Sequence, residues 1–501
     1  MDAQTLLNQF QNMAPGGAAS LGASQGGALD SLGDLSKALQ ASNYQTDVAT
    51  LEGGGALGVQ SLDTAMKTTV QENEHFTLFN RLQQTKATNI VDEYVRQSNV
   101  GGFLGGSTNT QMGVVRSAQG EYSREVGLVK FLMSLRQVGY VLNIGKNITE
   151  ATAVEERNGA LQLLTDSNYL LYHGNADADP TQFDGIFNII DKEIAAGKMS
   201  GDNVVDMRAK PLDSIEAISK INVAVSRYGS WGRSTDIFLP NSVQNDLNMG
   251  LDPAFRWGPQ GANTPMIGGH VEGIRLQNGV LKTNMDTFIH DEEHPMVYPF
   301  EVNYPDIAVK NAAFKPAGVA ADATASAADS YFEAAHAGNY YYAVAAIGAQ
   351  GEGQTQIVKT ASIAVAAGKK VVLTITKSTA GTETGYAIYR SRQNGTDAAN
   401  DLRLVKVIKR DGDTTVFTDL NRDIPGTVSV PLLNMGPSAD AIGWRQFQPM
   451  IKIPLPFGVG GMPVISWFQF LFGYLRVTKP KHHGYIKNVL PNNAKWRPFS
   501  A

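Results

Sequence analysis

The chain has 501 residues, no cysteine, 18% charged residues and a formal net charge of −5. That length suits two or three domains. Without cysteine there is no disulfide framework, thiolate metal site or cysteine nucleophile. The mildly acidic balance speaks against a protein that grips nucleic acid through a basic surface.

Met1 to Phe10 carries Asp2 and has neither a basic n-region nor an apolar h-region, so no signal peptide is expected. Residues 1–60 are rich in Gly, Ala, Ser and Gln and are punctuated by Pro15-Gly16-Gly17 and Gly53-Gly54-Gly55. They cannot bury much apolar surface alone and read as an extended or partner-ordered arm. Leu62 to Gln97 reads as helical, because Phe76, Phe79 and Leu82, and then Ile90, Val91, Tyr94 and Val95, stand at near-helical spacing. Gly101-Gly102-Phe103-Leu104-Gly105-Gly106 breaks that pattern.

Val114 to Ile144 reads as long strands, with a hairpin tip at Gly120. Arg116, Glu121, Arg124, Glu125, Lys130 and Arg136 are spread through this segment. A long, charged hairpin is costly to display on a monomer, so these six are candidate contacts with a neighbouring subunit.

Thr152-Ala-Val-Glu155 has the form of a capping box and opens a long helix, on which Val154, Leu161, Leu164, Asn168 and Leu171 repeat at helical spacing up to a stop at Gly174. Asp213-Ser-Ile-Glu216 opens a second helix in the same way, with Leu212, Ile215, Ile218, Ile221 and Val225 as its buried stripe and Gly229 as its end. Asp236 to Leu239 reads as a short buried strand, Ser242 to Asn248 as a short helix, and Met266 to Asn284 as strands with glycine turns. From Phe314 to Asn434 the pattern is all-β, with strands at Tyr340–Ala346, Lys370–Thr376, Tyr386–Arg390, Leu404–Ile408 and Thr415–Thr418. Their spacing predicts a sandwich of about 100 residues interrupting a mixed domain. Ile453 to Leu475 is apolar, but Pro454, Pro456, Pro463 and Gln469 interrupt it, so buried strands and not a membrane span are expected.

Several short patterns invite chemistry. His290-Asp-Glu-Glu-His294 has a metal-like i, i+4 spacing, but Pro295 follows at once and a solvated acidic loop is the reading. Gly53 to Gly58 fits GxGxxG without the strand that a dinucleotide site needs. Asp177, Asp179 and Asp184 read as turn-forming residues because the calcium-loop order is missing. Lys479, Lys481, His482, His483 and Lys487 form a basic cluster, a solvated face or a contact with a neighbour or DNA; Lys479 and Lys481 are its candidate intersubunit residues. Of Tyr340, Tyr341 and Tyr342, alternation leaves one ring exposed. No catalytic constellation, cofactor site or metal site is assigned.

Three local sequences carry a family resemblance: Tyr172-His173-Gly174-Asn175 leading to Phe183-Asp184-Gly185-Ile186; Asp236-Ile237-Phe238-Leu239-Pro240-Asn241; and Phe472-Gly473-Tyr474-Leu475-Arg476-Val477 followed by Pro480-Lys481 and Ile486-Lys487-Asn488-Val489. In this order, over roughly residues 60–300 and 440–500, the chain resembles the major capsid proteins of tailed bacteriophages, whose fold is shared with herpesvirus shells. The resemblance implies an α+β capsid fold with an N-arm, a long β-hairpin loop, a spine helix, and peripheral and axial domains. The inserted all-β segment resembles Ig-like or fibronectin-type modules through Tyr340 to Val344 with Gly351-Glu352-Gly353, and through Gly385-Tyr386-Ala387-Ile388-Tyr389-Arg390. In the usual module the second pattern comes first, so two partial modules or a permuted one are both open.

The division expected on this basis is 1–98 arm, 99–147 extended hairpin loop, 148–302 core with spine helix, 303–438 insert and 439–501 return to the core. The family implies a non-enzymatic subunit that forms pentamers and hexamers of an icosahedral shell around phage DNA. It also implies assembly in the host bacterial cytoplasm, with a separate scaffolding protein, a portal and decoration proteins as partners, only loose contact with packaged DNA, and no membrane. Some relatives crosslink Lys to Asn, and nothing in the residues assigns that role to Lys130. The alternatives are a tail tube or sheath protein and a hydrolase with an accessory sandwich.

Overall fold

The computed structural model describes residues 77–115, 117–144, 150–227, 232–250, 273–289, 315–348, 357–457 and 463–499. Gly53–Gly58, Gly229, His290–His294 and Arg116 lie outside the described residues, as does the arm before Thr77.

The helical reading of Leu62–Gln97 survives, within the described part, as the single turn α1 (Thr77–Arg81); strands β1 (Gln83–Lys86) and β2 (Val91–Asn99) follow. From Val91 to Gln97 exposed and half-buried residues of β2 alternate one by one, so the period is two and not 3.6. The short Val91/Val95 repeat fits both periods, and the distant strand β3 (Glu121–Leu128) supplies the hydrogen-bonding partner that decides between them. The hairpin is therefore β2–β3 with a connection at 100–120, and its tip is not Gly120. Strand β4 (Lys130–Gly139) leaves this ribbon and pairs elsewhere.

A short helix α2 (Tyr140–Ile144) and the long α3 (Ala151–His173) follow. Neither expected capping box forms. Helix α3 starts one residue before Thr152, whose Oγ1 donates to Glu150 Oε1 at 2.9 Å, and Glu155 is drawn to Arg136 on β4 at 3.3 Å. Helix α4 (Ile186–Ala195) and strand β5 (Val204–Lys210) lead to α5 (Glu216–Ser226), which begins at Glu216 itself; that side chain pairs with Lys220 one turn on. The apolar stripe of α5 is as expected, with Ile218, Ile221 and Val225 fully buried. Strand β6 (Asp236–Leu239), helix α6 (Asn241–Gly250), and strands β7 (Gly273–Leu276) and β8 (Gly279–Met285) complete this part.

The insert contains β9 (Pro316–Asp322), β10 (Gly338–Tyr340), β11 (Tyr342–Gly348), β12 (Ile357–Lys359), β13 (Ile363–Val365), β14 (Val371–Ser378), β15 (Glu383–Ser391), β16 (Leu402–Lys409) and β17 (Thr414–Asp419). They form a sheet of order β12-β11-β15-β16 facing one of order β17-β14-β9, with β10 and β13 as a small ribbon. The two motif strands are neighbours, Tyr342 opposite Arg390 and Ala346 opposite Tyr386. Both motif strands thus belong to one sandwich. Tyr340, Tyr342, Val344, Leu373, Ile375, Tyr386 and Ile388 fill its core, and Tyr341 is the partly exposed ring of the three tyrosines.

Strand β18 (Val428–Leu433) falls inside the expected insert range, yet it pairs with β21 (Gly484–Val489) and β6 in a six-stranded sheet of order β5-β21-β18-β6-β8-β7. The insert proper thus ends before it. The apolar stretch at Ile453–Leu475 is strand, as expected: β19 (Ile442–Pro454) and β20 (Val464–Val477) form the centre of a four-stranded sheet, β1-β19-β20-β4. No helix among the described residues is long and apolar enough to cross a membrane.

Helix α3 lies along one face of this four-stranded sheet. Gln469 on β20 donates to Glu156 O at 2.9 Å, and Arg136 on β4 reaches Gln162 Oε1 at 2.6 Å. Trp444, fully buried, receives the edges of Phe79 and Phe183, each at 5.4 Å; each such aromatic pair adds about 0.5–1.5 kcal/mol beyond area burial. The start of the described chain is fixed by a buried carboxylate. Asp286 accepts from Tyr172 Oη at 2.9 Å, Asn168 Nδ2 at 3.0 Å, Phe288 N at 3.0 Å and Thr77 Oγ1 at 3.1 Å. Burial pushes this carboxyl above its usual range despite the four donors.

Candidate assembly surface

The β2–β3 ribbon has two chemically different faces, because residues opposite each other in an antiparallel pair point the same way. One face carries Asp92, Tyr94, Arg96, Glu125 and Gly127, and it is anchored to the rest of the chain. Tyr474 Oη donates to Asp92 Oδ2 at 2.6 Å, Arg476 lies 5.3 Å over the Tyr94 ring, and Arg96 reaches Glu193 at 2.9 Å. Burial raises the Tyr474 hydroxyl above its ordinary value, and the Asp92 charge adds to this. Burial alone would lower the Arg96 guanidinium, but Glu193 holds it above its usual value. Gly127 permits this docking: a Cβ there would sit 2.2 Å from the Tyr474 ring.

The other ribbon face carries Val91, Val95, Tyr122, Val126 and Leu128, all exposed. Val95 is 67% exposed, Tyr122 68% and Val126 58%. Between them Arg124 pairs with Glu93 at 3.2 Å on the same open face. The connecting segment adds Phe103, Leu104, Met112, Val114 and Val115, each largely exposed.

A second open apolar surface lies on the four-stranded sheet, on the face away from α3. Phe131 stands opposite Phe472, Met133 opposite Phe470 and Leu135 opposite Phe468, while Ile453 continues the row on β19. Phe131 and Phe472 meet edge-on at 5.2 Å. Phe131, Met133, Leu135 and Ile453 are exposed. Alternation along β4 explains the division: Leu132, Ser134, Arg136 and Val138 turn toward α3, and the odd-numbered residues turn outward. Single exposed apolar residues are ordinary, but rows on paired strands form a patch of the kind found at interaction surfaces.

The sequence-expected contact residues separate on this frame. Arg124 lies on the open ribbon face, and Glu121 at the far end of β3 accepts from Ser98 Oγ at 3.2 Å. Glu125 is turned inward toward Arg96 at 3.6 Å and Lys198 at 3.4 Å. Lys130 donates to Pro180 O at 2.6 Å, and Arg136 braces α3. Both are thus engaged within the chain.

The basic cluster near the chain's end is not one patch. His483 is buried, accepts the Asn434 N–H on Nδ1 at 3.1 Å, and is pushed down to about 3 by burial and by neighbouring His482. Lys487 pairs with Asp423, Lys479 donates to Ala439 O, and Lys481 lies in the turn Pro480–His482. The aspartates act as turn residues: Asp179 Oδ1 accepts from Thr181 N at 3.0 Å, while Asp177 and Asp184 both hold Lys192 at 2.8 Å. Among the described residues no group of three His, Asp or Glu side chains could hold a metal ion.

The open apolar rows were only half legible in the sequence. Val126, Phe131, Met133 and Leu135 stand out as strand residues, but which face of each strand lies open depends on where α3 and Tyr474 pack. The anchor formed by Asp92, Gly127 and Tyr474 joins residues hundreds of positions apart and left no local signal.

No family model matches the sequence, and no curated protein does. Solved structures match the chain at low identity. The capsid of a native GTA particle is 8% identical, with 89% of this chain and 100% of that chain covered and a TM-score of 0.45. A chain from Mycobacterium phage Adephagia is 7% identical, with 86% and 95% covered and a TM-score of 0.41. The encapsulin complex of Synechococcus elongatus is 10% identical, with 91% and 99% covered and a TM-score of 0.34.

Proposed function

We propose that this chain is a shell-building subunit, the major capsid protein of a tailed phage, which associates with copies of itself as pentamers and hexamers around packaged DNA. The observation that supports this best is the pair of open apolar rows, one on the β2–β3 ribbon and one on the four-stranded sheet behind α3. Both rows sit on rigid strands, so they suit a repeated contact between identical subunits better than an adaptable ligand site. Arg124 and Glu121 would flank the ribbon contact. Lys479 and Lys481 remain candidates for a neighbour's surface.

On this reading residues 91–128 form the tying ribbon, the helix α3 with its sheet forms the peripheral part, the six-stranded sheet forms the axial part, and residues 316–427 form the insert. The role is structural and not catalytic. A separate scaffolding protein, a portal and decoration proteins would complete the particle, which would assemble in the bacterial cytoplasm. Electron microscopy of the purified chain, alone and with the products of neighbouring genes, tests the proposal. Closed polyhedral shells or ring-shaped capsomers are expected. Open tubes would move the chain to a tail, and a persistent monomer under all conditions would refute the proposal.

A further inference from the structure

We infer that residues Leu490–Phe499 are a strap that locks the inserted sandwich onto the core, so that the insert is presented in one fixed orientation and not as a tethered appendage. The segment is rooted in the core at one end. Leu490 N donates to Lys210 O at 3.1 Å, and Asn492 N donates to Asp246 Oδ2 at 2.7 Å. Its other end grips the sandwich. The buried Trp496 indole donates to Asp401 O at 3.2 Å, and the Arg403 guanidinium lies 5.3 Å over its ring. Pro498 O accepts from Gln393 N at 2.8 Å, and Phe499 stacks on His336 with ring centroids 4.0 Å apart. The seam is fitted to the strap: Gly426, at φ +70°, lies under Trp496, and a Cβ there would come within 2.4 Å of the indole.

Two independent features show that the sandwich is seated against the core. Strand β11 is buried along its whole length on both faces, which a strand of a free sandwich, solvated on its outer face, would not be. Its second face carries Ala343, Ala345 and Ile347, all buried, and the neighbouring β15 and β16 meet the loop after α3: Gly385 lies against Ala178, and Val407 O accepts from Asn175 Nδ2 at 3.2 Å. The backbone on the core side is also set against its preference. Arg208 and Ala209 are consecutive non-glycine residues at φ 50° and 59°, and Asn488 beside them is at 56°. Such conformations persist where surrounding contacts over-determine them. Arg208 is thereby aimed at the insert, 3.0 Å from Glu333 and 4.4 Å over the Tyr331 ring, while Asn488 accepts the buried Ile424 N–H at 3.1 Å.

The test is hydrogen exchange on the full-length chain, wild type against the double variant Trp496→Ala/Phe499→Ala. In the wild type the Gln393 and Ile424 amides should be protected like the β14–β17 ladder. In the variant both should exchange about tenfold faster or more, while the β14–β17 ladder keeps its protection, because the sandwich swings free but stays folded. The Ile424 amide decides against a local effect, since it bonds Asn488 and touches neither mutated side chain. A wild-type Gln393 amide that exchanges like an exposed loop, or an Ile424 amide unchanged in the variant, would overturn the inference. Should the double variant not fold, the wild-type measurement and the milder Trp496→Phe, which removes the indole donor and shrinks the ring, decide on the same amides.

Discussion

Replacing Val95 and Val126 by serine removes apolar surface from the open ribbon face without touching its anchored face. In the free subunit both side chains face solvent, 67% and 58% exposed, so each change should alter folding stability by no more than about 0.5 kcal/mol. On the proposed reading a neighbouring subunit covers them in the assembled shell. Burying a valine fully contributes about 1.5–3 kcal/mol, so covering the three-fifths left open contributes about 1–2 kcal/mol each, or about 2–4 kcal/mol for the pair. At about 1.4 kcal/mol per tenfold, the association constant of each contact should fall roughly thirty- to a thousandfold. The assay is a concentration series by sedimentation velocity and light scattering, with a thermal melt of the unassembled subunit as the control. Shells that form at the wild-type concentration from a normally folded variant would refute the claim that this face is covered on assembly.

Three further outcomes are expected. Arg390 is fully buried in the sandwich, 2.6 Å from Asp419 and 2.8 Å from Asn421 Oδ1; Arg390→Met should cost about 3–5 kcal/mol by stranding the carboxylate, and adding Asp419→Leu should restore much of it, both read by denaturant melts. The buried His483 favours its neutral form, with its folded pKa lowered to about 3 from the ordinary 6.5. The stability it contributes is therefore complete above about pH 6.5 and is lost as pH falls toward 3, so His483→Gln should flatten that acid limb in chemical denaturation at stepped pH. Deleting residues 314–434 should abolish a folded core, because it removes β18 from between β21 and β6. Deleting 316–422 with a short linker should leave the six-stranded sheet intact, and circular dichroism with solubility separates the two.

The sequence by itself determined most of the elements: the long helix ending at Gly174, the buried stripe of α5, the strand Asp236–Leu239, and the all-β insert with its glycine and asparagine turns. These rest on periodicity and turn chemistry, which act over a few residues. Both capping-box readings failed because Glu155 found Arg136 and Glu216 found Lys220, partners that a four-residue motif does not include. Within Leu62–Gln97, Val91 and Val95 satisfy the helical and the strand period alike, and only a strand thirty residues on settles the choice. Tertiary structure alone assigned Val428–Leu433 to the six-stranded sheet, put the two tyrosine-rich motif strands side by side, turned one face of the ribbon toward Tyr474, and buried β11 on both sides. Each of these depends on which distant surface covers a strand, and burial by a distant partner is a property of the folded chain that no local stretch of residues encodes.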